Sequence, residues 1–133
     1  MTRLPPKRWA VLAPMLLMAC IPHPPWRALS PDHRTVFEAV RRGRQTCITV
    51  AARRDGCFDG VALAGVVFSE QGGHVAYPVL TGTRWAVIHD GRAGPAFDGI
   101  GTVMLSADGR RLAYAAMHEA KWSVVADDIA SLP

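Results

Sequence analysis

The sequence is poor in the features that usually betray chemistry. Its three cysteines form no CxxC pair and no metal-ligand spacing. HxxxH and Gly-x-Ser-x-Gly are absent, and His23, His33, His74, His89 and His118 share no common spacing, so neither a metal site nor a nucleophilic triad is expected. The glycine-rich stretch "RAGPAFDGIG" (92–101) lacks the Lys-Ser/Thr of a P-loop. It also lacks the strand–GxGxxG–helix setting of a dinucleotide fold, which leaves Gly99 and Gly101 as a lone, weak match. No segment after the first twenty residues keeps a helical period over ten positions. No apolar run approaches the roughly 20 residues that span a bilayer.

Acidic residues are missing from the start of the chain, where Asp32 is the first. The formal charge of +4 therefore owes much to Arg3, Lys7 and Arg8. Without residues 1–19, twelve basic residues face eleven acids, so the charge gives no sign of a nucleic-acid partner. The same residues read as a leader. "MTRLPPKR" is a positive n-region, "WAVLAPMLLMA" is a short apolar h-region, and Cys20 follows. Leu17-Met18-Ala19-Cys20 resembles a bacterial lipobox, with Met18 departing from the usual small residue. The resemblance implies a signal peptide over 1–19, lipidation of Cys20 and a membrane-anchored lipoprotein of the cell envelope, facing periplasm or exterior. The alternatives are plain secretion, or an uncleaved anchor or a cytoplasmic chain. Residues 20–28 are proline-rich and read as an extended tether.

Export leaves Cys47 and Cys57 as an even pair, either bridged or two small buried thiols.

The remainder, 29–133, is repetitive. Shifting 66–91 by 37 residues onto 103–128 gives eight identities in 26 ungapped positions. They are Val66/Val103, Ser69/Ser106, Gly72/Gly109, Ala76/Ala113, Tyr77/Tyr114, Trp85/Trp122, Val87/Val124 and Asp90/Asp127. A worn copy precedes them. It sets Ser30-Pro31-Asp32 against Ser106-Ala107-Asp108 and Phe37 against the tyrosines, is one residue shorter at the turn, and has Gln45 for the tryptophan. Phe58-Asp59-Gly60 recurs as Phe97-Asp98-Gly99, with two extra residues before the next unit. Three units follow, at about 29–65, 66–102 and 103–133.

Each unit reads as strands. A short apolar strand meets a turn such as "SADG", and "RRLAYAA" then places Leu112 and Tyr114 on one face. In "KWSVVAD", Trp122, Val124 and Ala126 share the face opposite Ser123 and Val125. "GPAFDGI" makes a fourth strand or an ordered corner. The fold class is all-β, a propeller-like stack of about three four-stranded blades. "LSPD…VFEA", "FSEQGGHVAY" and "LSADGRRLAYAA" resemble the repeats of WD-like, TolB-type β-propellers over residues 29 to about 128. That resemblance implies an envelope scaffold that binds proteins or peptides. Three units are fewer than the four or more blades of a closed ring. Either "DDIASLP" or a folded-back "PPWRAL" is expected to supply the last unit's missing strand. A homodimer of three-blade halves, a larger assembly or a truncated relic each accounts for the number of units.

The candidate residues divide accordingly. Asp59 and Asp98 are read as caps on backbone N–H groups in matching corners, the alternative being paired carboxylates for acid–base work. Asp90 and Asp127 read as turn aspartates. Ser69, Gly72, Tyr77, Trp85, Ser106, Asp108, Gly109, Tyr114 and Trp122 form the structural repeat, with both tryptophans expected in the core. Arg41, Arg42, Arg44, Arg53 and Arg54 read as solvated loop charge. No cofactor and no catalytic residue is expected. The leading function is a non-enzymatic scaffold that presents loops near Arg41–Arg44, Thr81–Arg84 and His118–Lys121. The alternatives are a small hydrolase or glycan-processing enzyme that uses Asp59 and Asp98, and a decayed propeller fragment.

Overall fold

The computed structural model describes residues 24–127 and 129–130; the leader and Cys20 lie outside them. They form three antiparallel sheets, none of them closed, and among the described residues there is no α-helix. The first sheet is a meander of β1 (Trp26–Leu29), β2 (Val36–Arg42), β3 (Gln45–Val50) and β4 (Arg53–Phe58). In the second, β5 (Gly60–Val61) and β6 (Val67–Phe68) both pair with β7 (Val75–Thr81), followed by β8 (Arg84–His89) and β9 (Arg92–Ala93). The third runs β10 (Gly99–Leu105), β11 (Leu112–His118), β12 (Lys121–Ala126) and β13 (Ile129–Ala130). Segment 129–130 thus supplies the last sheet's fourth strand, whereas Trp26–Leu29 opens the first sheet.

Period-2 alternation gives every long strand two working faces, since neighbouring side chains point to opposite sides. Phe37, Ala39, Ile48 and Val50 of the first sheet pack on Val75, Tyr77, Val79 and Ile88 of the second. The second sheet's other face, with Ala76, Val87 and Phe97, packs on Val103, Leu112, Tyr114, Ala116 and Val125 of the third. Consecutive sheets therefore stack face to face, and the middle one is covered on both sides.

Hydrogen bonds set the repeat register and correct the alignment of the first unit. The Ser30, Ser69 and Ser106 hydroxyls accept from the N–H of Thr35, His74 and Arg111, five residues on in every case. The first turn is therefore not shorter. Ladder positions agree: Phe37 stands opposite Val50, as Ala76 does opposite His89 and Ala113 opposite Ala126. Glu38 consequently occupies the tyrosine position, and Thr46, not Gln45, the tryptophan position. Phe37 faces the second sheet, while Tyr77 and Tyr114 each face the sheet before their own. The two extra residues fall in the excursion between β5 and β6, where Leu63–Gly65 form one 3-10 turn. In the third sheet the same strand passes unbroken through a bulge between Ile100 and Val103.

Among the described residues, none covers the outermost faces. On the third sheet Met104, Trp122 and Val124 are exposed, Met104 and Val124 at the positions where Val67 and Val87 meet the next sheet. Trp85, the counterpart of Trp122, is half-buried and outside both cores, contrary to expectation. Val87 is 0% exposed and Val124 56%. Trp122 is accordingly not a core residue: no described sheet follows to bury it, and its ring lies over Gly99 and Gly101. On the first sheet Leu29 and Val36 are exposed beside an Arg27–Glu38 ion pair of 2.6 Å. The Cys47–Cys57 disulfide joins β3 to β4 in register.

Candidate functional site

The corner aspartates organise one end of the stack. Tight turns at 42–45, 81–84 and 118–121 join β2 to β3, β7 to β8 and β11 to β12. The Asp59 carboxylate accepts from the Gly82 N–H at 2.7 Å and from Gln45 Nε2 at 3.4 Å, bridging the first turn to the second. Asp98 repeats the device one sheet on, accepting from the Glu119 N–H at 2.8 Å and from Arg84 Nη1 at 3.1 Å. Its backbone N–H donates to Met117 O, as that of Asp59 donates to Leu80 O. Both carboxylates are thus engaged in holding turns. The three turns form a row that carries Arg42, Arg44, Arg84, His118 and Lys121, with Glu119 as an exposed acid.

The opposite end carries the serine turns. The Ser30 hydroxyl donates to Asp32 and that of Ser106 to Asp108; Gln71 stands at the matching place in the second unit. These hydroxyls, with the N–H of Arg34 and Arg110, hold both aspartates below the usual carboxylate range. Asp127 is lowered mainly by the Leu112 N–H that it accepts. Asp90 likewise accepts the Val75 N–H at 3.0 Å. Gly72 and Gly109 have positive φ, and a Cβ on Gly109 would lie 2.5 Å from His74, so turns of adjacent units touch.

Two polar groupings escaped the sequence reading. Tyr77 donates to Asp55 at 2.6 Å, and Arg53 pairs with the same carboxylate at 2.8 Å, under a fully buried Asp55 side chain. Burial and that hydrogen bond push the Tyr77 phenol well above its ordinary range. The second grouping is His74, His89 and Asp90, whose donor atoms lie within 4.8 Å of one another. His74 Nδ1 is 2.6 Å from Asp90 Oδ2, and His89 Nε2 is 3.5 Å from that oxygen and 2.9 Å from Gly109 O. No motif spacing flags this set, because strands β7 and β8 bring its members together.

No protein-family model and no curated protein matches the chain.

Proposed function

We propose that the chain is a propeller-like interaction module, held at a bacterial envelope membrane by a lipid on Cys20, that presents its row of hairpin turns to a protein or peptide. The observation that carries this reading is the pair of bridges through Asp59 and Asp98, which lock three turns into one surface. A preformed surface loses little conformational freedom on binding, so more of its contact energy remains as affinity. Arg42, Arg44 and Lys121 make an acidic segment the complementary partner, while Arg84 is held by Asp98. Three similar meanders stacked in chain order support the likeness to WD-like, TolB-type blades. The uncovered face of the third sheet extends the reading to assembly. Two copies joined there bury Met104, Trp122 and Val124, whereas the first sheet's outer face holds the Arg27–Glu38 pair, which is costly to desolvate.

A photo-crosslinking side chain at Thr83, in the middle turn, tests the binding surface in cells. We expect a discrete adduct there and none at Arg110, at the opposite end; adducts at neither or at both overturn the reading. Mass spectrometry of Cys20 tests the anchor, which an unmodified cysteine refutes.

A further inference from the structure

We propose that His74, His89 and Asp90 form a binding site for a divalent transition-metal ion of the zinc, cobalt or nickel kind, at the seam between the second and third sheets. Two imidazoles and one carboxylate are the donor set these borderline ions take, whereas calcium and magnesium call for oxygen alone.

The geometry is close to that of a site. Ligands of a tetrahedral zinc with bonds of about 2.0–2.1 Å lie roughly 3.4 Å apart. The two imidazole nitrogens stand 2.6 Å and 3.5 Å from one oxygen, Asp90 Oδ2, so small rotations bring both to that spacing. Asp90 Oδ1 stays bonded to the Val75 N–H, which orients the carboxylate as an outer-shell partner does in metal sites. All three side chains are part-exposed, between 22% and 34%, which leaves a solvent side for entry and for a water ligand. Asp108 and Asp127, from the neighbouring unit, are close enough to interact with His74 and His89, although Asp127 is shared with Arg111 and Arg53 lies close enough to interact with Asp90. Loading requires each ring to turn a bare nitrogen to the ion: the N–H now directed at Asp90 or at Gly109 O moves to the other nitrogen of its ring, and a ring that is protonated releases one proton to solvent.

The repeat separates this grouping from ordinary turn structure. The third sheet has the same strap, Asp127 accepting from the Leu112 N–H and pairing with Arg111. At the places of His74 and His89 it carries Arg111 and Ala126, and the first sheet carries Thr35 and Val50. Only the second unit places imidazoles at both positions, and both converge on one oxygen. Shoring up the turn requires neither.

Titration calorimetry of the full chain with Zn²⁺, after chelator treatment, tests the site. We expect saturable binding that His74→Gln and His89→Gln each weaken by about tenfold or more, with circular dichroism showing both variants folded. His118→Gln, at the far row of turns, leaves it unchanged. Zinc also raises the melting temperature of the unsubstituted chain, a readout that needs no variant. Absence of saturation below about 1 mM, no rise in melting temperature, or affinity retained in both histidine variants overturns the proposal; the last outcome places the ion elsewhere, as on Cys20.

Discussion

The Tyr77 hydroxyl reaches across the seam between the first two sheets to the buried Asp55 carboxylate, 2.6 Å away. Removing the hydroxyl in Tyr77→Phe leaves Asp55 with Arg53 alone, and we expect a loss of about 1–3 kcal/mol of stability, read by denaturant unfolding. The phenol is raised in the fold relative to an ordinary value near 10. The neutral hydroxyl's contribution is therefore complete below about pH 10 and is lost as pH climbs above it. Tyr77→Phe should flatten that alkaline decline; an unchanged slope refutes the assignment.

Acid acts on the other end. Asp32, Asp108 and Asp127 are lowered from 3.8 in the fold, so their contribution is present above that value and lost as pH falls below it. Asp108→Asn is expected to shrink the acid-side drop in melting temperature without altering the plateau near neutral pH by more than a few degrees. A larger drop in the variant contradicts the sign.

The disulfide closes a loop with a sequence separation of 10. Loop entropy assigns it about 2.5–3 kcal/mol. Reduction, or the double substitution Cys47→Ser and Cys57→Ser, should lower the melting temperature by on the order of 10 °C. Equal melting of reduced and oxidised chains would show that the bridge contributes nothing.

Ala51 and Ala52 both have positive φ, 49° and 69°, in the turn where the second unit has Asp90-Gly91. A left-handed alanine costs about 1–2 kcal/mol, part of which glycine gives back through greater freedom when unfolded. Ala52→Gly should therefore stabilise by about 0.5–1 kcal/mol in thermal unfolding; destabilisation would place the backbone elsewhere.

Self-association through the third sheet predicts that Trp122→Glu with Val124→Glu yields monomers by light scattering at concentrations where the unsubstituted chain is dimeric. Both side chains are more than half exposed, so the substitutions should leave unfolding midpoints within a few degrees. A chain that is monomeric without substitution refutes the paired assembly.

Much of the architecture was legible because it is local. Ser-x-Asp-Gly turns, alternation along "RRLAYAA" and the duplicated Phe-Asp-Gly corner act over a few residues, and each appears as a turn, a two-faced strand or a junction between sheets. The first unit's register was not legible. Its aromatic residue sits one place from the tyrosine position, and identity of residue type drew the alignment to Phe37 when ladder pairing selects Glu38. The expected burial of Trp122 fails for a related reason: equal residues in two units suggest equal surroundings, but among the described residues no sheet follows the third.

Strand periodicity, turn chemistry and the repeat were determined by the sequence alone, since each depends on neighbours along the chain. Only the tertiary structure decided which face of each sheet is covered, that Asp59 and Asp98 tie three turns into a row, and that His74, His89 and Asp90 meet. The physical reason is common to all three. Stacking and hairpin pairing bring together groups many positions apart, and the distances among them follow from register and sheet packing, which residue spacing does not encode.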